Sequence, residues 1–448
     1  MIDTDTALAR CQDLVALAQR MGADAADAVA RANASESVSM RLGALEEVER
    51  SESEEIGLRV FVGKRSASIH TSDFAPEGLK ALAERAVQMA RHAPEDRHAG
   101  LAPAEAQLSG DLPDLELADT HRSDPEALRE AALAVEEAAR SVAGVTNSNG
   151  GSASASRSVA ALATSTGFAR GYAGSGFSLS ASVIAGEGGA MQTDHASRSA
   201  RFLADLVSPE DVGREAGQRA VARLNPVSMP SRKLPIVFEP RIAGGLVGHL
   251  LGAMSAPAIA RKASFLLDRE DEPLFDSAVR IFEEPLRKRG MRSRPFDGEG
   301  VPCCPRALVE HGKLTGWLTN VSSADQLGLG LTGHASRGSG GSPGVSASNV
   351  QMEKGSVSPQ ELMADIEDGL YVTSLFGQGV NGVTGDYSRG ATGFRIRKGE
   401  IAEPVAEITI AGNLLEMFRA LTPADDLEMI RSINVPTLRI DGMTVAGE

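Results

Sequence analysis

Apolar positions in the first half of the chain recur with two periods, one helical and one extended. Leu8, Cys11, Leu14, Val15 and Ala18 share one face of a predicted helix that Asp5 or Thr6 caps and that runs to Arg20, with Gly22 as its stop. Leu79, Leu82, Ala83, Ala86 and Met89 predict a second helix over 76–91, and the pattern over 125–142 predicts a third, capped by Asp124. Period-two runs over 37–45 and 57–62 predict strands, and the Gly63-Lys64 break before 65–70 predicts a hairpin. Residues 93–119, rich in Pro, Ala and acids, read as a connector. Over 144–198 small polar residues alternate with Val, Leu, Phe and Ile, which predicts an antiparallel meander with one polar face. A helix over 209–224 follows. Residues 225–233 hold two prolines and two serines and mark a domain boundary.

The second half opens with a predicted strand over 234–238 and a glycine-rich apolar helix from Arg241. Two hairpins are predicted, 307–310 with 314–318 and 394–397 with 401–410, with Gly312 and Gly399 at turn positions that need positive φ. Residues 337–344 form a Gly/Ser loop expected to be mobile. No repeat of fixed period stands out. The expected architecture is α+β in two domains. Residues 1–225 carry helices with antiparallel strands; residues 233–448 are β-rich around a buried glycine-rich helix.

At roughly 100° per residue, Ile242, Leu246, Val247, Leu250, Leu251 and Met254 fall on one broad face of that helix. Gly245, Gly248 and Gly252 fall opposite, flanked by His249. Each interior glycine costs about 1 kcal/mol relative to alanine. The stripe is therefore either tight internal packing or the wall of a cleft.

Charge and composition narrow the function. The 448-residue chain has a net charge of −15 and 4% aromatic residues, which argues against general nucleic-acid binding and base stacking. The three cysteines, Cys11, Cys303 and Cys304, form no disulfide framework, and the cytoplasm is the expected compartment. The N-terminus carries no signal-peptide pattern. Residues 242–260 contain no Asp, Glu, Lys or Arg, but their glycines, serine and proline fit a buried helix of a globular protein better than a membrane span.

Motifs for chemistry are sparse. No two of the eight histidines stand at i, i+4 and there is no Cys-x-x-Cys, so no zinc spacing is visible. There is no Gly-x-Ser-x-Gly elbow, and Gly338-Ser339-Gly340-Gly341 lacks the Lys of a phosphate loop. Cys303-Cys304 reads as a turn pair rather than a redox site. Acidic runs such as 268–272 read as solvated surface.

Two long runs carry a resemblance. Leu234-Pro235-Ile236-Val237-Phe238-Glu239-Pro240, followed by Gly244-Gly245-Leu246-Val247-Gly248-His249, is similar to the TldD/PmbA family of metalloproteases. The run from Gly382 to Phe394, which contains Asp386, Ser388 and Arg389, and the run from Glu403 to Leu414 resemble its PmbA (TldE) branch. The resemblance implies a cytoplasmic heterodimer with a TldD-type subunit, a peptidase that degrades small or unfolded peptides and processes peptide antibiotics. It also implies that the TldD-type chain carries an HExxxH zinc motif on the matching helix and a C-terminal cysteine ligand. Here Gly244 and Gly245 stand where that motif has its first His and its Glu, only His249 matches, and no cysteine follows Cys304. One imidazole is too few for catalytic zinc, which needs about three protein ligands. The expectation is a chain with no catalytic or metal residues of its own, zinc being held by the TldD-type partner. Gly245, Gly248, His249, Gly252, Asp386, Ser388 and Arg389 are its candidate cleft or interface residues. Extended peptides are the expected substrates, with neither nucleic acid nor membrane as a partner, and a homodimer is the candidate state of the isolated chain. The rival readings are a homo-oligomeric peptide-binding or regulatory protein without proteolytic activity, and an independent hydrolase built on Asp386, Ser388 and His249.

Overall fold

Four strands of 17 to 20 residues dominate the first half. In the computed structural model of the protein, which describes residues 2–447, six strands form one antiparallel sheet. They are β1 (Ala25–Arg41), β2 (Ala44–Val62), β3 (Arg65–Thr71), β4 (Val145–Thr164), β5 (Ala169–Ala185) and β6 (Gln192–Ala200), in the order β3-β2-β1-β4-β5-β6. The helices are α1 (Thr4–Arg20), α2 (Pro76–His92), α3 (Pro125–Arg140) and α4 (Pro209–Ala222). The chain thus runs α-β-β-β-α twice. The first strands of the two units, β1 and β4, pair at the centre, with Asp27 opposite Thr164 and Met40 opposite Gly151.

Side chains alternate across a strand, so the even-numbered residues of β1 all face the helices, one pair of helices near each end. Ala26, Ala28, Ala30 and Ala32 share a core with α1 and α2, while Val38 and Met40 share one with α3 and α4. Small side chains let the helices lie close. The tightest approach is α4 on α3: a Cβ at Gly213 would stand 2.2 Å from the Val135 carbonyl oxygen, and one at Gly217 2.6 Å from that of Ala139. The other face of β1, carrying Asp27, Val29 and Arg31, meets the second half of the chain. There Val29, Leu162 and Phe168 pack with Phe296.

The second half is built on a closed strand circuit. β7 (Arg232–Phe238) pairs in parallel with β8 (Asp368–Val380), and β8 runs antiparallel to β9 (Asp386–Arg397) and β9 to β10 (Glu400–Asn413). β11 (Leu438–Ala446) pairs with both β10 and β7, which gives a barrel-like sheet. Its core includes Ile236, Phe238, Leu370, Val372, Ile408, Ile410 and Ile440. Helix α5 (Pro240–Ala253) follows β7 directly. The overall class is the expected α+β. Among the described residues no helix is long and apolar enough to cross a membrane.

Several local expectations differ from the structure. The strand expected over 37–45 contains a turn, with Leu42 and Gly43 both at positive φ. β2 continues through 44–55, where six glutamates leave no apolar alternation, and β3 pairs only with 56–62, so that outer edge stays open. The strand expected over 314–318 is only Lys313–Leu314. The Gly/Ser loop 337–344 is seated against the first sheet. Arg337 and Pro343 are buried, and a Cβ at Gly57 on β2 would stand 1.6 Å from the Ser339 carbonyl oxygen.

Arg337 joins a buried charge cluster between the two halves. Arg59 Nη2 donates to Asp27 Oδ2 at 2.5 Å and approaches Glu299 Oε1 at 3.4 Å, while Arg337 also donates to Asp27. Asp27, Arg59, Glu299 and Arg337 are 0%, 5%, 3% and 4% exposed. Burial pushes the Glu299 carboxyl up to about 7, against the opposing charge of Arg59. Removing one member of such a cluster strands its partner's charge. Arg59→Met is therefore expected to lower stability by about 3–5 kcal/mol in urea denaturation. A folded-state value above the ordinary one means that Glu299 favours folding below about pH 4.5, a contribution lost as pH rises through about 7. Across that window wild type should lose stability relative to Glu299→Gln; a constant difference between the two would refute the assignment.

Candidate functional site

Helix α5 has one face in the core and one in the open. Ala243, Leu246, Val247, Leu250 and Ala253 are buried. At Gly245, Gly248 and Gly252 a Cβ would meet nothing within 4 Å, whereas at Gly244 it would meet Ile433. The glycine stripe therefore faces space rather than a packed neighbour, and α5 is buried on its apolar side only.

That space is a cavity of about 340 Å³ between α5, the β8–β9 hairpin and the segment around Phe265. Gly248, His249, Gly252 and Arg389 line it together with Phe265 and Gln378. The Phe265 amide donates to the Gly382 carbonyl at 2.9 Å, which holds the hairpin tip against this segment. His249 is half-buried, its ring edge-on to Tyr387 at 6.1 Å between centroids. Burial, and then the charge of Arg389, hold the His249 pKa below the ordinary imidazole value, so the ring is neutral at pH 7. Burial also pushes the Tyr387 phenol up to about 12.

Of the residues singled out in the sequence, four line one cavity and three do not. Gly245 is exposed one turn earlier on α5. Asp386 and Ser388 are exposed on β9 outside the cavity. The Asp386 carboxylate accepts from the Thr384 hydroxyl at 2.6 Å and the Asn413 amide at 3.3 Å, which lowers its pKa. Asp386 and Ser388 thus do not join His249 in a nucleophilic triad. Phe265 and Gln378 gave no sequence signal of their own, since only the fold carries 263–265 to the hairpin tip. The donor set does not fit a catalytic zinc: the cavity offers one imidazole beside a guanidinium cation. Among the described residues no group of three or more His, Cys, Asp and Glu side chains stands together to hold a metal ion. What the arrangement can do is admit a backbone against the glycine ridge, with Arg389 to meet a carboxylate and His249 to accept a hydrogen bond.

Gly248→Leu is expected to leave thermal stability within about 1 kcal/mol of wild type, because gained helix propensity accompanies a side chain placed in open space. Gly57→Ala should be far more damaging, its Cβ meeting the Ser339 carbonyl. Thermal unfolding of both variants distinguishes an open ridge from internal packing, which would make Gly248→Leu the worse.

Comparison with known proteins agrees along the whole chain. Family models for the PmbA/TldA metallopeptidase match in three segments: domain 1 at 26–90, the central domain at 119–224 and the C-terminal domain at 231–447. The first two segments together contribute the six-stranded sheet. The Metalloprotease PmbA of Escherichia coli O157:H7 is 37% identical over 92% of this chain and 90% of its own. The crystal structure of a candidate modulator of DNA gyrase from Bacteroides thetaiotaomicron superposes with a TM-score of 0.91 at 25% identity, covering all of both chains. TldE from Thermococcus kodakarensis shares the fold, with a TM-score of 0.86 at 20% identity over 97% of this chain and 99% of its own. The glycine-faced α5 and its cavity thus stand in a chain that belongs to the PmbA/TldD metallopeptidase family.

Proposed function

We propose that this chain is the PmbA/TldE-type subunit of a heterodimeric, zinc-dependent peptidase acting on small or unfolded peptides, and that it contributes no metal centre. The observation that carries this reading is the cavity on α5. Where a catalytic member of the family would present ligands and a base, this helix presents Gly244, Gly245 and a single neutral His249. Glycine cannot bind a metal or take a proton from water. The open ridge instead leaves room for a partner backbone or an extended peptide, and hydrogen bonds to a peptide backbone suit a protease of broad specificity. The cytoplasm is the compartment this reading implies.

The purified chain is expected to hold well under one zinc per molecule and to leave peptides uncut. Adding a TldD-type chain should give stoichiometric association and cleavage that a chelator abolishes. In that complex His249→Ala should lower the rate only a few-fold, and Gly248→Leu should weaken association or peptide binding. Elemental analysis, co-purification and a peptide-cleavage assay check these outcomes. Stoichiometric zinc with chelator-sensitive turnover in the single chain would overturn the proposal. A pull-down that returned only further copies of this chain would favour a homo-oligomeric peptide-binding protein.

A further inference from the structure

A second cavity, of about 440 Å³, lies where the free face of the first sheet meets the second half of the chain. Its volume is within the usual range for small-molecule sites, roughly 300–1,000 Å³. Arg31 on β1, Arg201 just beyond β6, and Arg292 and Arg294 from the second half all line it, and no Asp or Glu among the described residues does. Tyr172, Ser336 and other hydroxyl-bearing side chains complete the wall.

None of these four arginines has an ion-pair partner among the described residues. Arg294 donates to the Ser346 carbonyl at 2.7 Å, Arg201 to the Met291 carbonyl at 2.7 Å, and Arg31 to the Arg337 carbonyl. The side chain of Arg292 is exposed. The Nε groups of Arg31 and Arg294 are buried with no acceptor. The nearest acid in the adjoining small pocket is already satisfied. Asp297 accepts from the backbone amides of Glu299 and Ala335, both at 2.9 Å, and of Val301 at 3.0 Å.

Four guanidinium groups around one space repel one another, and buried N–H donors without acceptors are costly. An oxyanion in the cavity relieves the repulsion, by meeting the guanidinium groups that line it. In a chain with net charge −15 an acid-free arginine cavity is also the reverse of the average surface. Guanidinium groups match phosphate oxygens in geometry and charge. We infer that this cavity is a binding site for a phosphate group, supplied either as inorganic phosphate or as the phosphomonoester of a small molecule. The site is separate from α5 and does not rest on the peptidase-subunit reading.

The test uses the full chain alone, at constant ionic strength, with inorganic phosphate and ribose 5-phosphate each titrated against chloride by calorimetry. Saturable one-to-one binding is expected, with a matching rise in the unfolding temperature. Tighter binding of the ester than of phosphate would identify a phosphorylated small molecule as the ligand; equal or tighter binding of phosphate would identify the free ion. Arg292→Gln, at an exposed position, should fold as wild type and weaken binding about tenfold or more, the usual effect of losing a charge-assisted hydrogen bond. Arg294→Gln should weaken it further. No binding beyond that of chloride by wild type, or undiminished binding by Arg292→Gln and Arg294→Gln together, would overturn the inference.

Discussion

The two halves of the molecule are held in register by a charge cluster that is almost wholly buried between them. Asp27 and Arg59 face out of the first sheet, Glu299 and Arg337 reach in from the second half, and two positive groups meet two acids. Taking such groups out of water costs several kcal/mol per ion. The pairing of Asp27 with both arginines offsets part of that cost, although Arg337 Nε and Nη2 are buried without an acceptor, and this pairing favours one relative placement of the halves. The Glu299 carboxylate also accepts from the Val321 amide at 2.7 Å, which ties the start of a helix to the same point. The loop after Arg337 then follows the sheet instead of leaving it, and Gly57 is the residue that lets its backbone pass.

A second anchor fixes α5. Arg241 in its first turn donates to Asp194 on β6 at 2.7 Å and to the Thr373 carbonyl on β8 at 2.8 Å, and Arg223 at the end of α4 reaches the same aspartate at 3.2 Å. The helix therefore starts from a point bonded to both halves. Its apolar face enters the core of the barrel-like sheet, and its glycine face is left toward the β8–β9 hairpin. The cavity there is thus a by-product of how α5 is seated, with the buried Tyr387 ring packed edge-on to His249.

What could be read from sequence follows from which forces act locally. Helices α1 to α4 were legible because apolar spacing and caps are short-range: Asp124 accepts from the Glu126 amide as expected, whereas α1 is capped by Asp3, accepting from Thr6, so Asp5 and Thr6, the expected caps, lie within its first turn. Hairpin turns were legible where glycine marked positive φ, as at Gly63 and Gly399. The full length of β2 was not, since 44–53 are exposed on both faces and lack alternation. The doubled α-β-β-β-α order left no sequence repeat, because a sheet face asks only for small or apolar residues at alternate positions. The glycine ridge was visible from a helical wheel, but the residues opposite it were not. Asp27, lone among the alanines of β1, was a signal that went unread: a charge in an apolar run needs a partner. The four cavity arginines gave none, since Arg31, Arg201 and the Arg292–Arg294 pair come from three distant stretches of sequence and each is ordinary by itself.

The open outer edge of β2 has a consequence for behaviour in concentrated solution. A twelve-residue strand edge paired with β1 on one side and with no strand on the other among the described residues is a template for joining another strand, the usual route to aggregation. Here that stretch carries six glutamates against one arginine, so two such edges repel before their amides can meet. Much of the chain's negative charge is thereby spent as a guard on one strand. The guard works only while the carboxylates are ionised, so acid conditions weaken it and leave this edge free to pair with a second copy.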